Sequence, residues 1–362
     1  MHPLVGHHVR RRQLSRAYAL GRLPQSLLFT GPSGVGKQRL ALWLGQLILC
    51  QAPRDGEPCG TCGPCRRVLG LGHPDLHWFM PVPRPKAAEA DRQVTELEEA
   101  IAAVVAERRA APLYEALGGM AGHFVATARL LQRRAVLTPV EGRKKVFILG
   151  EAERLVPQEA NPEAANALLK LLEEPPADTV LCLTATDPGL VLPTIRSRTV
   201  TVRVGRLPDR EVEEFLRGVL KPAPNAAVLA ARVRQAGGCI GAAIGAGAAD
   251  AKARQLAVDV LNAVLAGPTA RAEQSLRQAP WSARGDFTGL LDALADSLHE
   301  ATRTALGESP VASGPLEGLS RRPPAALLRA TERVLEARAV AQGNVNPQLL
   351  LASLGDALAR TL

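Results

Sequence analysis

A glycine-rich turn set between a strand and a helix that begins on a lysine constrains this 362-residue chain more than any other stretch. Ser26-Leu27-Leu28-Phe29-Thr30 reads as a buried strand, Gly31-Pro32-Ser33-Gly34-Val35-Gly36-Lys37 as the turn, and Arg39-Leu40-Ala41-Leu42-Trp43-Leu44 as the opening of the helix. The combination predicts a phosphate-binding loop and an α/β fold around it. Gly31, Ser33, Gly34 and Gly36 let backbone N–H groups face a phosphate, the helix N-terminus adds partial positive charge, and Lys37 adds a full one. A plain glycine turn would not need both that spacing and the lysine. The next position, where a hydroxyl normally serves Mg²⁺, holds Gln38.

The chain is long enough for two or three domains. At 46% hydrophobic and 22% charged residues it has an ordinary globular composition. Aromatics are only 3%, so its cores must be built from Leu, Val, Ile and Ala. Leu40 to Cys50 is among the most apolar runs and is too short to span a bilayer. The N-terminal arginines precede no apolar block or cleavage site, so a cytoplasmic protein is expected. The net charge of +9 favours nucleic acid or an acidic partner, but it is spread along the chain. His7-His8-Val9-Arg10-Arg11-Arg12, its densest cluster, reads equally as a solvated helix face.

After the loop's helix, Cys50, Cys59, Cys62 and Cys65 follow the spacing C-x8-C-x2-C-x2-C. Thiolates so close together, in a protein expected in a reducing compartment, suit a structural, tetrahedral zinc ion. Disulfides are the competing reading. Cys182 and Cys239 lie in apolar or glycine-rich surroundings and read as buried small hydrophobes.

Residues 1–25 look helical, with Val5, Val9, Leu14 and Leu20 as sparse apolar points, and His73 to Phe79 is a turn entering a strand. Asp91 to Arg109 has Val94, Leu97, Ile101 and Val104 at helical spacing, and Val125 to Ala135 is a further helix. Val146-Phe147-Ile148-Leu149 is a second apolar strand, which ends in Gly150-Glu151. In phosphate-loop enzymes that strand ends in an aspartate that holds Mg²⁺, and a water-polarising glutamate follows; here the glutamate is kept and the aspartate is missing.

Asn166 to Pro176 is a helix stopped by Pro175 and Pro176. It leads to the strand Thr179 to Thr184, to Thr186-Asp187-Pro188, and to Pro193-Thr194-Ile195-Arg196-Ser197-Arg198-Thr199. This succession resembles the clamp-loader branch of the AAA+ ATPases, which contains the gamma/tau and delta-prime subunits of bacterial DNA polymerase III. The resemblance covers residues 1–80 and 123–205. It implies that Thr186 stands at the sensor-1 position and that the cysteines form the family's zinc module. It also implies that Arg198, in a Ser-Arg-Thr version of the family's Ser-Arg-Cys motif, reaches into a neighbouring subunit's ATP site. The expected organisation is an AAA+ domain over 1–205, a helical lid over 206–267 and a helical collar over 268–362. The first domain would contain the zinc module at about 50–65 and an insertion at about 81–122, for which the family offers no function. Leu327, Leu328, Thr331, Val334 and Leu335 are expected on one face of a collar helix.

Three departures bear on ATP chemistry. Gln38 and Gly150 replace both metal-holding groups, and Gly241 stands where a sensor-2 arginine belongs. Mg²⁺ needs near-octahedral oxygen ligands, and phosphoryl transfer depends on positioning and charge stabilisation. The pattern resembles the delta-prime type, a stator that keeps ATP or ADP without turnover while Arg198 serves a neighbour. The implied partners are gamma/tau and delta subunits, with the sliding clamp and primer–template DNA met through the assembled complex and no membrane involved. The competing reading is an active gamma/tau-type ATPase with an unconventional magnesium site. An unrelated zinc-containing phosphate-loop protein would leave the proline-stopped helix and the Ser-Arg pair unexplained.

Overall fold

Unbroken apolar runs such as Leu27-Leu28-Phe29 and Val146 to Leu149 suit strands covered on both faces, as a parallel sheet requires. The computed structural model bears this out, and describes residues 1–110, 121–155, 163–220, 225–244, 248–278, 284–307, 317–341 and 345–362. Its strands are β1 (Ser26–Thr30), β2 (Leu76–Phe79), β3 (Val82–Pro83), β4 (Ala121–Gly122), β5 (Lys145–Leu149), β6 (Thr179–Ala185) and β7 (Val200–Arg203). Five of them form a parallel sheet in the order β2-β5-β6-β1-β7. β3 and β4 pair antiparallel, outside that sheet. β1 is therefore interior, with Phe29 opposite Thr184 on one side and Val202 on the other. Because the strands run in parallel, the loops after β1, β5 and β6 emerge on the same edge, where α/β sheets place ligands.

The helices of the first compact unit, which ends at Ile244, are α1 (His8–Ala19), α2 (Lys37–Leu49), α3 (Gly63–Leu69), α4 (Ala90–Ala110), α5 (Val125–Ala135), α6 (Glu163–Glu173), α7 (Pro193–Arg196), α8 (Asp209–Val219), α9 (Ala226–Ala236) and α10 (Ile240–Ile244). Phe29, Phe79, Phe147, Leu40 and Leu44 are fully buried in the core on which the sheet rests. Each such side chain stabilises the fold by about 1.5–3 kcal/mol. The N-terminal helix is shorter than the sequence suggests. Of its apolar points only Leu14 is buried, while Val9 and Leu20 face solvent. A separate small core joins Leu207, Val212, Leu216, Leu229, Val233 and Ala243 from α8 to α10.

The second unit contains α11 (Ala248–Ala266), α12 (Pro268–Arg277), α13 (Arg284–Ala305), α14 (Glu317–Ser320), α15 (Pro324–Val340) and α16 (Pro347–Thr361). The sequence groups α11 with the lid, but its Ala257, Val260, Leu261 and Val264 share a core with α13, α15 and α16. On α15, Leu327, Ala330, Val334 and Ala337 are buried, whereas Leu328 and Leu335 are 52% and 50% exposed. One residue is about 100° of turn, so residues directly following a buried i, i+7 pair fall on its flank. The loop from Ser309 to Pro315 lies outside the described residues.

Candidate functional site

β1 delivers the chain into Gly31, which lies so close to β7's continuation that an added Cβ would sit 2.2 Å from the Val204 carbonyl oxygen. The turn then passes through left-handed backbone at Gly34 and Gly36 and enters α2 at Lys37. His7 closes one side of it, with Nε2 2.9 Å from the Val35 carbonyl oxygen. No spacing rule links His7 to Val35, so this contact is visible only in the folded chain.

Lys37 is buried, and its Nζ donates to the carbonyl oxygens of Gly31 and Pro32, both at 2.8 Å, and to Thr186 Oγ1 at 3.2 Å. Burial pushes its pKa down, opposed by Glu153 and Glu151. Thr186 is thus brought to the loop lysine, as expected of a residue at the end of β6. Its backbone N–H donates to Glu153 Oε1 at 2.8 Å, and burial pushes the Glu153 carboxyl up. Glu151 has left-handed backbone and pairs with Arg154 at 2.7 Å.

Residues 38 and 150, the two positions expected to serve Mg²⁺, meet each other. Gln38 Oε1 accepts a hydrogen bond from Trp78 Nε1 at 3.0 Å, and a Cβ added to Gly150 would fall 2.8–2.9 Å from three atoms of the Gln38 amide group. The amide occupies the space that a side chain at 150 would need. Behind it, fully buried His123 places Nε2 2.6 Å from the Gly150 carbonyl oxygen.

Gly241 reaches the loop as well, by backbone. Its N–H donates to the Gly34 carbonyl oxygen at 2.8 Å, and a Cβ at 241 would come within 2.5 Å of Gly34 Cα. A side chain at 241 would have to displace the loop backbone.

The four cysteines form a cluster at the end of α2 and the start of α3. Their Sγ atoms all lie within 4.8 Å of one another, with Cys50–Cys62 and Cys59–Cys65 at 4.0 Å. Tetrahedral zinc with Zn–S bonds of about 2.3 Å needs sulfurs about 3.8 Å apart, whereas a disulfide needs about 2.05 Å. The donor set fits the ion with a slight contraction. The backbone N–H of Cys59 points at Cys50 Sγ (3.3 Å) and that of Cys62 at Cys59 Sγ (3.4 Å). Such bonds favour thiolates; the Cys62 and Thr61 amides hold the Cys59 thiol down to about 6. Cys182 and Cys239 are buried elsewhere.

Arg198 lies on the surface after α7. Its Nε donates to Glu173 Oε1 at 2.6 Å, its Nη2 lies 2.5 Å from the same oxygen in an ion pair, and its Nη1 donates to the Thr194 carbonyl oxygen at 3.0 Å and to Ser197 Oγ at 3.2 Å. Among the described residues no helix is long and apolar enough to cross a membrane.

The family described as "DNA polymerase III, delta subunit" matches residues 6–208. A DNA polymerase III subunit delta' from Pseudomonas aeruginosa is 36% identical over 173 residues, 48% of this chain and 40% of the relative. A subunit gamma/tau from Mycobacterium bovis is 32% identical over 203 residues, 56% of this chain and 28% of the relative. The chain therefore spans less than half the length of these curated relatives. A solved gamma subunit-related protein from Thermotoga maritima aligns over 97% of this chain and 99% of its own, at 16% identity and a TM-score of 0.39. With more than half of its length inside the family match, the chain belongs to the family described as DNA polymerase III, delta subunit.

Proposed function

We propose that this chain is a delta-prime-type stator of a bacterial clamp loader. It helps to load the sliding clamp on primer–template DNA within a complex with gamma/tau and delta subunits. The observation that carries the reading is the mutual fit of Gln38 and Gly150: the space for a magnesium-holding carboxylate is filled by an amide bonded to Trp78. A hard cation has neither its hydroxyl nor its carboxylate there. The loop glycines and Lys37 retain the means to hold the phosphates of ATP or ADP, without the groups that would turn it over.

In this reading Arg198 acts outside its own subunit, on charge developing at a neighbour's ATP. Arginines supplied in this way contribute about 10³–10⁵ in rate. Cys50, Cys59, Cys62 and Cys65 hold a structural zinc ion, which ties the end of α2 to α3. The domain plan is the AAA+ domain to about 205, a lid that ends before α11, and a collar that includes it.

The similarity to gamma/tau and the retention of Glu151 favour a second reading, an active ATPase. One assay separates the two. The chain alone with ATP and Mg²⁺ is expected to show no turnover that depends on Lys37. In the reconstituted loader, Arg198→Ala is expected to leave assembly intact and to lower DNA-stimulated ATPase at least tenfold. Turnover by the chain alone that vanishes in Lys37→Ala would establish the ATPase instead. An unchanged rate in the Arg198→Ala complex would remove the trans role.

A further inference from the structure

Arg198 is held in a defined pose. A guanidinium is a planar fork, with Nε and Nη2 along its side and Nη1 and Nη2 across its end. Glu173 takes the side edge through a single carboxylate oxygen. Thr194 and Ser197 hold Nη1 from the arginine's own turn. Nη2 makes an ion pair with the same carboxylate oxygen, and no hydrogen-bond acceptor is found for its end-edge N–H among the described residues. The Arg198 side chain is 33% exposed.

The place of Glu173 gives the contact further meaning. It is the last residue of α6, just before Glu174 and the two prolines that stop the helix. A carboxylate in the last helical turn faces the negative end of the helix dipole, where a cation is preferred. Glu173 is thus at a local disadvantage that the Arg198 guanidinium offsets, and the proline stop limits how far it can move.

We propose that Glu173 is a positioning residue for the trans-acting arginine. It fixes the side edge of the Arg198 fork so that the end edge faces outward, toward phosphoryl oxygens of a nucleotide held by an adjacent subunit. This rests on the reading of Arg198 given above. An arginine with its rotamer already set forfeits less conformational freedom when it engages an anion. Thr194 and Ser197 take Nη1, so the outer edge keeps one Nη2 N–H for a charge-assisted hydrogen bond to a phosphate oxygen.

The experiment uses the full chain reconstituted with its partner subunits, and measures DNA-stimulated ATPase as kcat and KM for ATP. Two variants separate position from charge. Glu173→Gln keeps the length and an accepting oxygen but loses the charge; it is expected to stay within about twofold of the parent rate. Glu173→Asp keeps the charge but draws it back by one methylene, about 1.5 Å, and so detaches it from Nε. It is expected to lower kcat about three- to tenfold, the range for ordering one long side chain, with KM unchanged. Glu173→Ala should match the aspartate variant, and in an Arg198→Ala background it should have no further effect. Assembly is checked by size exclusion, and the aspartate variant carries the test if the alanine variant fails to assemble. A parent rate for Glu173→Asp beside a strong loss in Arg198→Ala overturns the positioning role while leaving the arginine's role standing. A double variant slower than Arg198→Ala alone also overturns it, since Glu173 would then act by another route. A full rate in Arg198→Ala fails both readings together.

Discussion

Adding one methyl group at Gly150 should destabilise the N-terminal unit only while Gln38 is present. The new Cβ would meet the Gln38 Nε2 at 2.8 Å and its Cδ and Oε1 at 2.9 Å, all closer than real Cβ contacts allow. A side-chain amide can usually swing away at little cost, but this one is anchored by Trp78 Nε1 at 3.0 Å. Gly150→Ala must therefore either break that bond or strain it. Breaking it leaves the indole N–H of Trp78, a residue only 8% exposed, without its partner. The loss of a buried partner costs about 1–3 kcal/mol, the same range as a modest overpacking. Gly150 does not have left-handed backbone, so the substitution brings no backbone strain to blur the result. In a Gln38→Ala background the same methyl group enters space already vacated, and its cost should fall by about 1 kcal/mol or more, the mark of coupled neighbours. The assay is urea unfolding followed by tryptophan fluorescence, with Trp43 and Trp78 both reporting on this unit. An equal cost of Gly150→Ala in both backgrounds would refute the steric exchange. So would an unchanged midpoint in the parent chain.

Other outcomes follow from the same structure. Metal analysis should find about one zinc per chain, and Cys59→Ser with Cys62→Ser should lose the metal and lower the stability of the unit; four freely alkylated thiols in the purified protein would count against this. Gly241→Ala places a carbon against the Gly34 backbone and should cost about 1–3 kcal/mol, measured by the same unfolding assay. Burial holds His77 and His123 near pKa 4, below their ordinary 6.5, with Arg134 adding to the effect on His77. Between those values the unfolded chain binds protons that the folded chain refuses, so stability is greatest above pH 6.5 and is lost as pH falls toward 4. His123→Gln should flatten that slope by up to about 1.4 kcal/mol per pH unit, and an unaltered slope would assign the dependence to other groups.

Much of the phosphate-loop edge is legible in the chain because its signals are local. A strand, a glycine turn and a lysine are neighbours in sequence, as are the cysteines and the proline-stopped helix, and Val125 to Ala135 appears in the structure with those bounds. The substitutions at 38, 150 and 241 are readable one at a time. Their mutual contacts are not, since Gln38 and Gly150 lie on different elements and nothing in the sequence pairs Gln38 with Trp78. Glu173 is similarly hidden: Glu-Glu-Pro-Pro reads as a helix end, and only the return of the chain after β6 brings Arg198 beside it. The placement of α11 fails for another reason. Its apolar positions say that it has a core face, but not which of two helical cores receives that face.

The Trp78 indole has a second neighbour. Arg108, from α4 in the stretch expected to be an insertion, lies over its ring at 5.8 Å. Gln38, Trp78 and α4 are therefore in physical succession, and this bears on how such a chain can evolve. A lineage that gained a hydroxyl at 38 would orphan the indole, and one that gained a carboxylate at 150 would first collide with the amide. Each such step is uphill when taken alone. The structure works as a ratchet, in which Gln38, Trp78 and α4 hold one another in place and make a change at 38 or 150 hard to take alone.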